Sequence, residues 1–143
     1  MPAGRAQRHT LANDVVLLDE TYNAGAQSMA AALRLLKDQP GKRHIAVQGT
    51  MKELGHKSIE LHRAVGELVH SLGIDWLLIL ADPAEAEAMA AGASDIPHQR
   101  FTDHGALTRH LEQMIQPGDR ILFKASRSLA MDQVVAPLRP DQT

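Results

Sequence analysis

Five consecutive apolar residues, Trp76-Leu77-Leu78-Ile79-Leu80, constrain this chain more than any other feature. A run without polar alternation is a strand covered on both faces, which requires helices on both sides of a parallel sheet. The flanking patterns agree with that requirement. Val15-Val16-Leu17-Leu18 reads as a strand ending at Asp19, and Arg8-His9-Thr10-Leu11 pairs back to it across Asn13-Asp14 as a hairpin. Ile45-Ala46-Val47 closes at Gly49, a weak strand lies around His98 to Phe101, and Arg120-Ile121-Leu122-Phe123-Lys124 follows the turn Pro117-Gly118-Asp119.

Helical patterns fill the intervals. Met29, Ala32, Leu33 and Leu36 share one face of a helix that Pro40-Gly41 stops. Leu61, Val65, Leu68, Val69 and Leu72 share another, with Ser58 as the expected N-cap and Gly73 as the stop. Asp82-Pro83 is expected to start an alanine-rich helix ending at Gly92. Thr102 is expected to cap a helix carrying Leu107, Leu111, Met114 and Ile115, and a last helix holds Met131, Val134, Val135 and Leu138. The fold class that follows is α/β: a three-layer, Rossmann-like arrangement with helices on both faces. Its sheet is mainly parallel, of about six strands, with one antiparallel edge strand. Residues 1–143 form one domain, with 1–7 as linker and 139–143 as tail.

Composition narrows the functional classes. The 143 residues contain no cysteine, which excludes a disulfide framework and thiolate chemistry. With 15 Lys+Arg against 17 Asp+Glu there is no electrostatic case for nucleic-acid binding. The run from Trp76 to Ala81 is far short of the ~20 residues that span a bilayer, and the first residues have no apolar signal-peptide centre. The expectation is a cytoplasmic protein, monomeric, without membrane or nucleic-acid partners. The histidines at 9, 44, 56, 62, 70, 98, 104 and 110 form no zinc-binding spacing, and most read as surface residues. No metal site is expected.

In such sheets ligands bind beyond the carboxyl ends of the strands, which selects Asp19 to Asn23, Gly49 to Gly55, Asp82, and Lys124 to Arg127. The Gly49–Ser58 stretch departs from a phosphate-cradling loop: five residues separate its glycines, and His56 splits Gly55 from Lys57. Asp19, Glu20, Asp82, Thr102 and Lys124 fall in the order of a receiver-type phosphoacceptor site, in which carboxylates hold Mg²⁺ and the lysine neutralises a phosphoryl group. Asp82 reads equally as a helix N-cap. Tyr22 is either a buried ring or a platform for a ligand. Lys124-Ala125-Ser126-Arg127 can bind a carboxylate or phosphate, or it can be a helix start with exposed cations. A small-ligand binding module is a third reading.

Taken together, the strand-end segments resemble the C-terminal domain of the Mur ligases. Asp19-Glu20-Thr21-Tyr22-Asn23-Ala24 with Ser28-Met29-Ala30-Ala31-Ala32-Leu33 is similar to one signature of that family. Gly49-Thr50-Met51-Lys52-Glu53-Leu54-Gly55, with His62 and Gly66 downstream, is similar to a second. Gly118-Asp119 with Lys124-Ala125-Ser126-Arg127 is similar to a third, and Gly4-Arg5 to the hinge before the domain. Gly25-Ala26 stands where the family has Asn-Pro, Thr50 where it has Asp, and Ala125 where it has Gly.

The resemblance implies one domain of an ATP-dependent amide ligase whose substrates are UDP-N-acetylmuramoyl-tripeptide and D-alanyl-D-alanine, in peptidoglycan precursor synthesis. It implies that ATP and Mg²⁺ are held mainly by a central domain, and that this domain closes over the nucleotide and positions the dipeptide. It further implies Asp19, Tyr22, Asn23 and Arg5 on the ATP side, Arg5 at the hinge, and Lys124, Ser126 and Arg127 toward the acyl phosphate or dipeptide carboxylate. The N-terminal and central domains would be partners in the same chain, and residues 1–143 alone would be catalytically silent.

Overall fold

The computed structural model describes residues 7–20 and 26–124. Among these residues six strands form one sheet: β1 (Gln7–Leu11), β2 (Val15–Asp19), β3 (Arg43–Gly49), β4 (Trp76–Leu80), β5 (His98–Arg100) and β6 (Asp119–Lys124), in the spatial order β1-β2-β6-β3-β4-β5. Among the described strands only β1 runs antiparallel, pairing with β2 from Gln7↔Asp19 to Leu11↔Val15, so the expected edge hairpin is present. The helices are α1 (Ala26–Asp38), α2 (Ser58–Leu72), α3 (Pro83–Ala93) and α4 (His104–Met114). The three-layer α/β class read from the sequence is the observed one. The expected helix after Lys124 lies outside the described residues.

Alternation along the strands divides the core in two. Val16, Leu18, Ala46, Leu77, Ile79 and Leu122 pack under α1, α2 and α3. Val15, Leu17, Ile45, Val47, Leu78 and Phe123 pack with Leu107 and Leu111 of α4. β4 feeds both cores, which is why its run has no polar alternation. Three crossovers in one direction place α1, α2 and α3 on one face. α4 returns the chain on the other face and inserts β6 between β2 and β3, as right-handed connections require.

Several local expectations are corrected by long-range contacts. Ser58 is not an N-cap: a 3₁₀ turn, Gly55–Lys57, leads directly into α2, and Ser58 already has helical φ −54° and ψ −48°. Thr102 does not cap α4; Asp103 does, its Oδ1 accepting from the Ala106 N–H at 2.8 Å. Asp82 occupies the N-cap position of α3 with Pro83 following, yet its side chain makes no capping bond.

Gly92 lies inside α3, which runs on to Ala93. A Cβ there would stand 2.2 Å from the Arg63 carbonyl oxygen, and one at Gly66 would stand 2.1 Å from that of Met89. The two glycines let the backbones of α2 and α3 touch, a packing reason that overrides the helix-breaking tendency of Gly. Gly73, at φ 68°, does end α2 in the left-handed conformation that glycine tolerates.

Candidate functional site at the carboxyl end of the sheet

The carboxyl ends of β2, β6 and β3 lie side by side, and three polar side chains sit there on the α1–α3 face. Glu20 extends the β2–β6 ladder by donating its N–H to the Phe123 carbonyl at 2.8 Å. Its Oε1 lies 3.4 Å from Lys124 Nζ. Lys124 is fully buried, which contradicts the reading of this lysine as an exposed cation. Burial holds its ammonium below the ordinary value of 10.5, with the Glu20 carboxylate opposing that shift. Gln48 pairs in register with Lys124 on the next strand. It is also fully buried, and among the described residues neither its carbonyl nor its amino group has a hydrogen-bond partner.

Asp19 is 8% exposed and occupies the alternate position. It follows Leu17 on the α4 face, so Asp19 and Lys124 share one end of the sheet but opposite faces. Arg5, Tyr22, Asn23, Ser126 and Arg127 lie outside the described residues. In the chain, only Thr21 separates Tyr22 and Asn23 from Glu20, and only Ala125 separates Ser126 and Arg127 from Lys124. The buried Glu20–Lys124 pair therefore anchors the strand ends from which both candidate segments depart.

The loop after β3 is fastened to two helices. The Thr50 hydroxyl accepts from the Asp82 N–H at 2.8 Å, so the residue that departs from the family pattern ties the loop to the start of α3. Met51 is buried and donates its N–H to His62 Nε2 at 2.9 Å. His62 Nδ1–H donates in turn to the Ser58 carbonyl at 2.7 Å. The Ser58 hydroxyl donates to Glu85 Oε2 at 2.8 Å. That bond holds the Glu85 carboxyl below its ordinary 4.5, with partial burial opposing. Lys52 Nζ, at the exposed edge, lies 3.7 Å from Asp82 Oδ2.

This geometry weighs against both alternative chemistries. In a phosphate-cradling loop successive N–H groups turn toward the ligand, whereas the Met51 N–H points inward to His62. In a receiver-type site the carboxylates converge. Here β6 and β3 separate the end of β2 from the end of β4, three strand spacings or about 14 Å between Asp19 and Asp82. Thr102 is exposed beyond the far edge strand β5.

Among the described residues, no three His, Asp or Glu side chains converge as a metal site. No helix among them is long and apolar enough to cross a membrane. Reading the sequence missed the roles of Gln48, Ser58, Glu85 and His62, and the burial of His44, whose Nε2 lies 2.7 Å from the Gln39 carbonyl. The one available signal was His62 at the fourth position after Ser58, on the buried side of α2.

Comparison with known proteins agrees with this architecture. The family profile described as "Mur ligase, glutamate ligase domain" matches residues 4–127. The UDP-N-acetylmuramoyl-tripeptide–D-alanyl-D-alanine ligase of Synechocystis is 49% identical over 138 residues, covering 96% of this chain and 30% of that protein. A crystal structure of MurF from Acinetobacter baumannii superposes with a TM-score of 0.84 at 30% identity, over 96% of this chain and 30% of that one. A MurF ligase from Thermotoga maritima in complex with ADP superposes with a TM-score of 0.76 at 29% identity, over 94% of this chain and 30% of that one. The chain thus spans about a third of the length of these relatives. With a profile match over residues 4–127, a shared fold and strand ends built as described, the chain belongs to the Mur ligase family as its C-terminal, glutamate ligase domain.

Proposed function

We propose that the chain serves an ATP-dependent amide ligase that joins D-alanyl-D-alanine to UDP-N-acetylmuramoyl-tripeptide in the cytoplasm. The observation that carries this reading is the likeness, along 96% of the chain, to a relative named for that reaction. In the reaction, a carboxylate oxygen of the tripeptide attacks the γ-phosphorus of ATP and ADP departs. The amine of the dipeptide then attacks the resulting acyl phosphate at carbon, and inorganic phosphate leaves. ATP supplies the activation, with Mg²⁺ offsetting phosphate charge, and both would be held mainly by the central domain of the complete protein.

The contribution of this domain is orientation and exclusion of water. Asp19, Tyr22, Asn23 and Arg5 would face the nucleotide, with Arg5 at the hinge. Ser126 and Arg127 would face the acyl phosphate or the dipeptide carboxylate, where an arginine fork suits planar oxyanions. Lys124 would act on the same side, from the base of that segment, through its pair with Glu20. The placement of Asp19 and Lys124 on opposite sheet faces suits this division between two ligands.

An assay of the isolated chain tests the reading. With ATP, Mg²⁺, tripeptide nucleotide and dipeptide it should release no phosphate, and joining it to the N-terminal and central domains of a related ligase should restore ligation. Turnover by the isolated chain at the rate of a complete ligase would contradict the proposal. Acid-stable, base-labile labelling of Asp82 by acetyl phosphate would favour the receiver alternative.

A further inference from the structure

One buried histidine governs the loop beside the site. His62 has no exposed surface, and both its ring nitrogens are committed. An N–H group faces Nε2, from Met51 at 2.9 Å, and a carbonyl oxygen faces Nδ1, from Ser58 at 2.7 Å. These partners assign the proton to Nδ1 and leave Nε2 as an acceptor. The ring therefore bridges the first turn of α2 to the backbone of the loop after β3. It is the only ring among the described residues that does so.

That loop needs such a bridge. Glu53 has φ 62°, a left-handed conformation that costs a non-glycine residue about 1 kcal/mol or more and persists only where neighbours impose it. Lys52 and Glu53 are exposed, so their own side chains do little to impose it. The restraint comes from the residues before them. Thr50 is tied to Asp82, and Met51 is held twice, by its buried side chain and by its N–H on His62. Gln48, two residues upstream of Thr50, pairs with Lys124, so the loop rises beside the end of β6.

We propose that His62 is a positioning residue for the dipeptide side of the site. Its Nε2 fixes the Met51 backbone, and through it the course of Lys52–Glu53 beyond the carboxyl end of β3, the strand that pairs with β6 up to Lys124. The assignment of the dipeptide to this side rests on the ligase reading above. The fastening of the loop does not.

The test compares H62N and H62Q in the complete ligase. Asparagine keeps a donor near the Nδ1 position but is too short to reach Met51, whereas glutamine places a carbonyl oxygen near the Nε2 position. In H62N the Met51 amide should exchange with solvent about tenfold faster, and KM for D-alanyl-D-alanine should rise about tenfold with kcat and KM for ATP unchanged, as the loss of one ground-state restraint implies. H62Q should restore both the exchange protection and KM.

Unchanged Met51 exchange in H62N would overturn the proposal, as would a folded H62Q that fails to restore it. A fall in kcat at constant KM, or a change in KM for ATP instead of the dipeptide, would overturn the positioning role. Should H62N fail to fold, exchange in H62Q decides alone: protected Met51 supports the bridge and fast exchange overturns it. A wild-type ligase that ignores the dipeptide would overturn the ligase reading and the substrate side assigned here, while Met51 exchange would still decide the fastening.

Discussion

Lys124 Nζ lies 3.4 Å from Glu20 Oε1 at the meeting point of β2 and β6, and the lysine side chain has no exposed surface. Replacing Lys124 by Met leaves a carboxylate that is only 10% exposed beside an apolar side chain. Breaking a buried pair from one side costs about 3–5 kcal/mol. K124M should lose stability in that range in urea unfolding, and the double variant K124M/E20L should recover much of it. A K124M protein as stable as wild type would show that the pair does not hold these strand ends together.

Glu85 and Ser58 give the protein an acid-sensitive contact. The hydroxyl bond lowers the folded-state value of Glu85 below the ordinary 4.5, so its contribution is complete above that value. It is lost as pH falls through the lowered folded value, because the unfolded chain takes up the proton first. Between about pH 5 and pH 2 wild type should therefore lose more stability than S58A, which lacks the bond. Parallel pH profiles for the two proteins would contradict this account of the Ser58 hydroxyl.

Gly66 and Gly92 should resist even alanine. Alanine gains about 1 kcal/mol of helix propensity over glycine. A Cβ at either position meets a carbonyl oxygen at 2.1 or 2.2 Å, however, and backbone cannot rotate aside as a side chain can. Overpacking costs about 1–3 kcal/mol, and such a contact belongs at the upper end or beyond. G66A and G92A should each lower the melting temperature, whereas A91G at the neighbouring position should cost no more than its propensity.

Much of this architecture could be read from the chain before any coordinates. Val15–Asp19, Trp76–Leu80 and the Met29/Ala32/Leu33/Leu36 face carry their structural roles in local pattern alone, and each was found where its period placed it. The errors share a cause. Ser58 reads as a cap until Glu85, twenty-seven residues on, is seen to take its hydroxyl. Gly92 reads as a terminator until the Arg63 carbonyl is found against it. At the site, position relative to strand ends was legible for Asp19 and Lys124. The sheet face each occupies, and the burial of Lys124 against Glu20, depend on pairing between distant strands.

Gln48 offers a stabilising substitution. Its amide is buried without a partner among the described residues, and an unsatisfied buried polar group costs about 1–3 kcal/mol. Leucine has similar volume and no polar atoms, so Q48L should raise stability by about 1 kcal/mol, read as a higher urea midpoint with an unchanged slope. A lower midpoint would show that the amide has a partner in solution, such as a buried water.

Phosphate release by the complete ligase carrying this chain tests the central claim most directly, with ATP, Mg²⁺ and UDP-N-acetylmuramoyl-tripeptide supplied and the amine substrate varied. Release should depend on D-alanyl-D-alanine, with a product heavier than the tripeptide nucleotide by the dipeptide less one water. Single amino acids such as D-glutamate or L-alanine should support little. Release driven by a single amino acid, with none from the dipeptide, would contradict the account.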